Sequence, residues 1–231
     1  NTFIEKNEPY TGFWEEDEIK TIQKITSVID KEQVSKIIDI GCGTGRLIST
    51  YIKIFSPTFY LGIDADNERL KKAKLNFNSN IFTFLPIDIL NYQSPNKYDL
   101  VICSHLLQHI KTTAIREVLN KSNQLLNSNK YFMVSIPYAD KIKKNFYYYS
   151  YLKNNKSMKC EISKDEYNRN VYNYKNKKLP LIVFCKNYIE HIFYSSGFKI
   201  INITEYHKIP NLMKKKHGNF DIMILAQKNK F

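Results

Sequence analysis

Three glycines follow a short apolar run near the start of the chain. Residues 37–40 lead directly into Gly41, Gly43 and Gly45, with Cys42 between the first two. Glycine has no Cβ, so a loop of this kind can turn sharply and bring its backbone against a bound molecule. Many nucleotide-binding folds contain such a turn, and the glycines alone therefore indicate a nucleotide site without identifying the nucleotide.

An acidic residue, Asp39, lies two positions before the first of these glycines. The spacing of the loop is G-x-G-x-G, which differs from the G-x-G-x-x-G of nicotinamide and flavin enzymes. A carboxylate here would repel a pyrophosphate but would attract the ammonium and sulfonium cations of S-adenosyl-L-methionine. The charge of Asp39 therefore favours S-adenosyl-L-methionine as the cofactor.

Two further aspartates follow later apolar runs of strand length. Asp64 comes 19 residues after Gly45, and a carboxylate at such a strand end can accept hydrogen bonds from both hydroxyls of a ribose. Asp88 could accept from an adenine amino group, while Ile89 offers a backbone N–H and an apolar edge. The alternative for each aspartate is an ordinary strand-end, capping or turn residue.

Apolar runs of strand length alternate with helical patterns along most of the chain. The predicted strands cover residues 36–41, 59–64, 81–87, 98–103 and 131–136, and the predicted helices cover 17–30, 46–55, 68–76 and 112–126. Such alternation predicts βαβ units and a parallel sheet with helices on both faces. A helix over 187–196 and two strands over 198–206 and 221–227 come last, and successive strands predict an antiparallel pair.

We therefore expect an α/β fold: a Rossmann-like, mostly parallel seven-stranded sheet closed by an antiparallel β-hairpin, with an insertion after strand five. The 231 residues fit a single domain of this kind. Its predicted parts are an N-terminal helical cap over 1–33, a cofactor-binding core over 34–137, the insertion over 138–185, and the C-terminal helix and hairpin over 186–231.

The insertion has an unusual composition. Residues 138–184 contain eight tyrosines, ten lysines and one arginine against four acidic residues. They show no long periodic pattern, and only 164–174 is predicted as a short helix. A connection of this length inside a compact domain is usually a lid or a binding element. We expect Tyr138, Tyr147 and Tyr149 to contact the substrate, with a compact tyrosine core inside the insertion as the alternative.

The ordered motifs resemble those of class I S-adenosylmethionine-dependent methyltransferases. The resemblance is carried by Asp39-Ile40-Gly41-Cys42-Gly43-Thr44-Gly45, Gly62-Ile63-Asp64, Pro86-Ile87-Asp88 and the run 98–104, and it covers residues 34–137. It implies that Asp39 and the loop glycines hold the methionine moiety, Asp64 the ribose, and Asp88 with Ile89 the adenine. Ser104 and His105 would flank the methionine tail or the methyl group. Cys42 and Ala65 adjoin these positions and belong to the predicted cofactor site.

The segment after strand four bears on the methyl acceptor. Family members that act on amino groups of nucleic-acid bases or glutamine often carry Asn/Asp-Pro-Pro-Tyr/Phe there, whereas this chain has Ser104-His105-Leu106-Leu107-Gln108-His109. That chemistry is therefore disfavoured. A Pro-Cys nucleophile for cytosine methylation is also absent, because Cys103 follows an isoleucine.

His105 and His109 are four residues apart and would share one face if the segment were helical. Three interpretations stay open: a structural or hydrogen-bonding role, a base that deprotonates the substrate, and a metal-binding pair. Trp14, with Tyr10 and Phe13, precedes the first helix, in a segment that family members often fold over the cofactor. It is predicted to form either an aromatic lid or an apolar contact of that helix with the sheet.

The bulk composition limits the broad class of protein. The four cysteines form no C-x-x-C pair, which argues against a zinc site or a disulfide framework and for a reducing, cytoplasmic location. No apolar stretch is long enough to span a membrane. The net charge of +13 indicates either a nucleic-acid or anionic partner, or the Lys-, Asn- and Ile-rich bias of an AT-rich genome.

These observations favour a methyltransferase that acts on an oxygen or nitrogen of a small-molecule acceptor. The alternative is an RNA methyltransferase, in which the basic insertion and Lys214-Lys215-Lys216 bind phosphates while tyrosines stack on bases. A second alternative is an inactive, cofactor-binding partner subunit, against which the intact Asp39, Asp64 and Asp88 argue. The acceptor and the oligomeric state stay open.

Overall fold

The computed structural model describes residues 13–153, 156–173, 178–207 and 220–229. The helices are α1 (Phe13–Ile25), α2 (Ile48–Phe55), α3 (Asn67–Asn76), α4 (Thr112–Leu125), α5 (Lys164–Asn170) and α6 (Lys186–Ser195). The strands are β1 (Lys36–Ile40), β2 (Phe59–Asp64), β3 (Phe82–Pro86), β4 (Tyr98–Ser104), β5 (Leu126–Tyr138), β6 (Phe146–Lys153), β7 (Lys156–Glu161), β8 (Leu179–Val183), β9 (Phe198–Tyr206) and β10 (Phe220–Lys228). Tyr10 and Lys214-Lys215-Lys216 lie outside the described residues.

Seven strands form the main sheet, in the order β3-β2-β1-β4-β5-β10-β9. The first five run parallel, and β10 is antiparallel to both β5 and β9. The predicted Rossmann-like sheet with its closing hairpin is confirmed. The strand order reverses between β1 and β4, and ligands of open α/β sheets bind at the carboxyl ends of the strands next to such a point.

Apolar side chains cover both faces of this sheet, as a sheet buried between helices requires. Ile38 and Ile40 of β1 pack in a cluster with residues of α4 and α6. Ile37 points to the other face, where it packs in a second cluster with residues of α1, α2 and α3. Successive residues of a strand face opposite sides, so Asp39 lies on the side of Ile37. The charged side chain is thereby placed under the N-terminal helices.

The insertion contains a second sheet, which corrects the prediction of a long connection without regular structure. Strands β6, β7 and β8 form an antiparallel sheet in the order β7-β6-β8. The pattern was hard to recognise because β6 is rich in tyrosine, which is both apolar and polar, and β7 is short and lysine-rich. The short helix predicted over 164–174 is present as α5, which is capped by Ser163.

Strand β9 forms one edge of the main sheet, and among the described residues it pairs only with β10. Its register shifts by one residue between Leu225 and Ala226, which face Asn202 and Ile200, so Ile201 forms a β-bulge. Ile201 and Ile203 on this edge are exposed. No helix in the described part of the chain is both long and apolar enough to cross a membrane.

Candidate cofactor and acceptor site

The glycine loop crosses from β1 to α2 at the carboxyl end of the sheet. The amides of Gly41 and Cys42 both donate to the carbonyl of Ile63, at 2.7 and 3.1 Å, which fastens the loop to β2. Gly45 has a φ of 82°, and a Cβ there would lie 2.9 Å from the Cδ1 of Ile48. Only glycine fits this left-handed turn without strain, so the loop keeps its backbone close to the sheet.

Asp64 ends β2 and is held by two backbone amides. Its Oδ2 accepts a hydrogen bond from the amide of Gly43 at 2.9 Å, and its Oδ1 accepts from the amide of Asp66 at 2.8 Å. A carboxylate oxygen can accept two hydrogen bonds, so each oxygen keeps capacity for a ligand hydroxyl. Ala65 follows and is exposed at the same strand end.

Asp39 is buried one residue before the end of β1. Its Oδ2 accepts a hydrogen bond from the hydroxyl of Tyr60 at 2.9 Å. Burial, together with the charge of Asp64, raises the pKa of Asp39 to about 7, although Tyr60 and the charge of Arg46 act in the opposite direction. A nearby cation would favour the ionised carboxylate, so the site of Asp39 is suited to a positively charged ligand.

Asp88 follows β3 and is exposed. It caps a short 3-10 helix, in which its Oδ1 accepts from the amide of Leu90 at 2.9 Å, while Ile89 is buried. The turn role considered for Asp88 is therefore present in the structure. Asp88 follows β3, the strand that pairs with β2 and thus with Asp64. Its contact with the adenine stays a prediction.

The segment after β4 forms a tight turn and not a regular helix, so the condition under which His105 and His109 would share one face is not met. Ser104 ends β4, and His105 adopts a left-handed φ of 53° with its amide bonded to the carbonyl of Ser135 at 3.0 Å. Residues 107–109 form a single 3-10 turn. The two imidazoles therefore project into different surroundings.

Both ring nitrogens of His105 are within hydrogen-bonding distance of other side chains. Its Nδ1 lies 3.0 Å from the side-chain Nε2 of Gln108, and its Nε2 lies 2.8 Å from the hydroxyl of Tyr206. Burial disfavours the imidazolium, but interactions with Glu18 and Asp221 outweigh it and raise the pKa of His105 above its ordinary value. These contacts fix the ring within the protein.

The imidazole of His109 is held differently. Burial and the charge of His105 lower its pKa to about 4, although a hydrogen bond to the backbone of Pro180 acts in the opposite direction. Proline has no N–H, so the imidazole is the donor in that bond. The Nδ1 atom is buried without a hydrogen-bond partner among the described residues. His109 is therefore a neutral imidazole with one nitrogen free to accept.

The insertion is bonded directly to this turn. The buried hydroxyl of Tyr167 in α5 lies 2.7 Å from the carbonyl oxygen of Ile110 and 3.0 Å from that of Gln108. The Oδ1 of Asn168 accepts from the amide of Thr112 at 2.9 Å. Since these bonds join α5 to the segment that carries His109, the insertion forms a packed wall beside it.

The three tyrosines predicted to contact substrate lie in different parts of this wall. Tyr138 ends β5, with its ring 5.3 Å from that of Phe220. The ring of Tyr147 packs 5.3 Å from that of Tyr167 and contacts the main apolar core. Tyr149 is half-buried, and the ammonium of Lys178 lies 5.6 Å from its ring centre. Trp14 lies in α1, and its side chain is outside the described part of the structure.

Residues 31–179 match the model of a family described as a methyltransferase domain. The chain belongs to this family. An rRNA adenine N-6-methyltransferase of Clostridium perfringens is 27% identical over 104 residues, which are 45% of this chain and 42% of that protein. The chain thus matches less than half of the length of this curated relative.

Two solved structures show the same fold for a methyltransferase. One is an S-adenosylmethionine-dependent methyltransferase from Clostridium acetobutylicum, with a TM-score of 0.63 and 14% identity over 99% of this chain and 96% of that one. The other is the Burkholderia thailandensis 1,6-didemethyltoxoflavin-N1-methyltransferase with bound 1,6-didemethyltoxoflavin and S-adenosylhomocysteine, with a TM-score of 0.64 and 10% identity over 99% and 86%. The predicted membership of the class I S-adenosylmethionine-dependent methyltransferases is confirmed.

The residues of this methyltransferase domain fit S-adenosyl-L-methionine, the predicted cofactor. The three loop glycines adopt left-handed φ values, Asp64 presents oriented oxygens at the end of β2, and Asp39 provides a buried acid on the side of the sheet covered by α1–α3. This set matches the sugar and the cationic amino-acid end of the cofactor. The residue assignments within the site remain predictions.

No sequence pattern singled out Glu18 of α1, a buried acid that is bonded to Arg46 beside the loop. It lies four positions before Ile22 and seven before Ile25, which are both fully buried. Residues at this spacing share one face of a helix, so the signal was an acid on an apolar face. Tyr206 was also missed, because a tyrosine at the end of a strand gives no such signal.

Proposed function

We propose that this methyltransferase transfers a methyl group from S-adenosyl-L-methionine to an oxygen or nitrogen atom of a small-molecule acceptor. When bound, the cofactor supplies a methyl group that its sulfonium charge activates toward a lone pair. Such a displacement is in line, so the protein contributes chiefly by positioning the two reactants and excluding water. The residues after β4 and the insertion would perform this task on the acceptor side.

The packed wall formed by the insertion is the observation that carries this proposal. Tyr167 and Asn168 bond α5 to the segment 108–112, and β8 packs against the 3-10 turn 107–109. A wall that is hydrogen-bonded to the rim of the site suits an acceptor that is enclosed on several sides. Enclosure favours a compact molecule, because pockets for small ligands bury most of the ligand surface.

The two histidines would then have different roles. His109 is neutral at neutral pH and has a buried nitrogen without a hydrogen-bond partner among the described residues, so it is suited to accept a hydrogen bond from an acceptor hydroxyl or amine. His105 is fixed at both nitrogens by Gln108 and Tyr206. We therefore assign His105 to holding the turn that follows β4.

An RNA acceptor is the second possibility, and two observations favour it. The matched relative from Clostridium perfringens is an rRNA adenine N-6-methyltransferase, and lysines lie over tyrosine rings in the insertion, with Lys159 4.8 Å from Tyr148 and Lys178 5.4 Å from Tyr151. The run Ser104-His105-Leu106-Leu107, however, lacks the Asn/Asp-Pro-Pro-Tyr/Phe pattern that family members acting on base amino groups often carry at this place. The small-molecule acceptor is therefore preferred.

A labelling experiment tests the choice between these acceptors. The protein is incubated with S-adenosylmethionine carrying a tritiated methyl group and with a bacterial extract divided into low-mass metabolites and total RNA. We expect the label in the low-mass fraction, and none when Asp64→Ala protein is used. Label that precipitates with RNA and is released by ribonuclease would contradict the proposal and support the second candidate.

The histidine assignment predicts a contrast between two variants. His109→Gln should lower kcat by about tenfold, the loss expected when a hydrogen bond that positions the acceptor is removed, and leave cofactor affinity unchanged. His105→Gln should instead lower the thermal stability, because it breaks the contacts that hold the turn. Initial rates with the identified acceptor, calorimetry and thermal melts separate the two effects. Equal losses of kcat with unchanged stability in both variants would refute the division of roles.

A further inference from the structure

Glu18 of α1 is a buried acid with an unsatisfied oxygen. Its side chain is 2% exposed, and its Oε2 accepts from the Nη1 of Arg46 at 2.6 Å. Its Oε1 has no hydrogen-bond partner among the described residues, and the Nε2 of His105 is 3.6 Å away. This distance is longer than a hydrogen bond. Since a buried carboxylate oxygen without a partner is costly, the geometry indicates a missing donor.

The position of Glu18 relates it to the cofactor loop. Its partner Arg46 directly follows Gly45, and its neighbour His105 directly follows the end of β4. Ile22 and Ile25 of the same helix pack in the cluster that contains Ile37 of β1 and Tyr51 of α2. Glu18 therefore lies at the carboxyl ends of β1 and β4, on the same side as Asp39.

Charged groups of both signs surround this point. Glu18 is bonded to Arg46, and the Nε2 of His105 lies 3.6 Å from its Oε1, while the guanidinium of Arg69 lies against Gly43 of the loop. The interactions with His105 and Arg46 outweigh the effect of burial and lower the pKa of Glu18 to about 2, so it is ionised. A cationic donor placed within hydrogen-bonding distance of Oε1 would satisfy this oxygen.

We propose that Glu18 binds the α-ammonium of the methionine moiety of the cofactor, with Arg46 held beside it for the α-carboxylate. This inference rests on S-adenosyl-L-methionine being the cofactor. The ammonium supplies the missing donor for Oε1, and the guanidinium of Arg46 offers further N–H donors to a carboxylate. The N-terminal helix thereby contributes directly to the site, and cofactor binding stabilises its packing on the sheet.

Three ligands distinguish a contact with the ammonium from a structural role. S-adenosylhomocysteine has both the ammonium and the carboxylate, decarboxylated S-adenosylmethionine keeps only the ammonium, and 5′-methylthioadenosine has neither. Calorimetry measures each ligand with wild type, Glu18→Gln and the control Glu16→Gln. Glu16 lies on the same helix but is exposed and pairs with Lys20 at 3.6 Å.

We expect Glu18→Gln to weaken the binding of S-adenosylhomocysteine and of decarboxylated S-adenosylmethionine by about tenfold or more, the loss typical of a charge-assisted hydrogen bond. The affinity for 5′-methylthioadenosine should stay unchanged, which also shows that the variant is folded. Glu16→Gln should bind all three ligands as wild type does. If the glutamine variant is too unstable, Glu18→Asp keeps the charge but withdraws it by one methylene, and it should show the same ligand-selective loss.

An equal loss of affinity for all three ligands, or no loss of affinity for any, would overturn the inference. A contact with the ammonium should weaken only the binding of the two ligands that carry an ammonium. Failure of the wild-type protein to bind S-adenosylhomocysteine or 5′-methylthioadenosine is a different outcome. It would refute the proposed function together with the inference. Normal binding by wild type with an unselective Glu18→Gln variant would refute the inference alone.

Discussion

Replacing Asp64 by alanine should lower the affinity for S-adenosylhomocysteine by about a hundredfold or more, as expected for the loss of two hydrogen bonds to a charged group. The carboxylate is the predicted acceptor for the ribose hydroxyls. It also holds the loop, since the amides of Gly43 and Asp66 both donate to it. The substitution therefore removes a ligand contact and loosens the backbone around the site, and isothermal calorimetry measures the combined loss.

A matched control separates this effect from a general loss of stability. Asp30 also accepts a hydrogen bond from a backbone amide, that of Glu32 at 3.3 Å, but it lies in an exposed turn before β1. Asp30→Ala should leave the affinity unchanged. Asp64→Asn should give an intermediate loss, because the amide keeps one acceptor oxygen but no charge. Wild-type affinity in Asp64→Ala would show that the ribose assignment is wrong.

The affinity for the cofactor should rise with pH across the neutral range, because the pKa of Asp39 is raised to about 7. Below that value the buried acid is protonated and offers no charge to the cationic methionine end, and above it the carboxylate is ionised. We expect the affinity for S-adenosylhomocysteine to increase several-fold, up to about tenfold per pH unit, between about pH 6 and pH 8. Asp39→Asn should bind more weakly and lose this slope.

The same group affects the stability of the ligand-free protein in the opposite direction. A carboxyl with a raised pKa in the folded state stabilises the fold fully below its ordinary pKa, and this contribution is lost as the pH rises through about 7. The melting temperature of the free protein should therefore fall as the pH rises from about 4 to about 7. The Asp39→Asn variant should lack this part of the decline. A bound ligand should reduce the decline. If the affinity of Asp39→Asn still depends on pH in the same way, a group other than Asp39 causes the pH dependence.

The parallel half of the fold could be predicted from the sequence, because each of its elements has a clear period. Strands β1 and β4 are mostly apolar runs, each with one aspartate, and α4 places Ile115, Val118 and Leu119 on one buried face. The antiparallel β9–β10 pair followed from two adjacent strand patterns. In these segments the local sequence pattern and the burial in the folded protein favour the same secondary structure, so the pattern alone was sufficient to predict each element.

The insertion and the details of the site depend on contacts between distant residues. Strand β6 alternates Tyr147, which packs on Tyr167, with the buried Tyr148. One residue type thus serves both faces, and no alternation is visible in the sequence. His105 has a left-handed backbone conformation, which its residue type does not predict. The free nitrogen of His109 and the pairing of Glu18 with Arg46 exist only after the chain has folded.

The bulge at Ile201 has a consequence for the behaviour of the protein in concentrated solution. A long, exposed edge strand with isoleucines at its surface is a template on which a second chain could add a strand. The extra residue at Ile201 puts the two halves of β9 out of step, so a straight strand cannot follow the edge along its whole length. We therefore expect the bulge to hinder the addition of a strand from a second chain at this edge, where Ile201 and Ile203 are exposed.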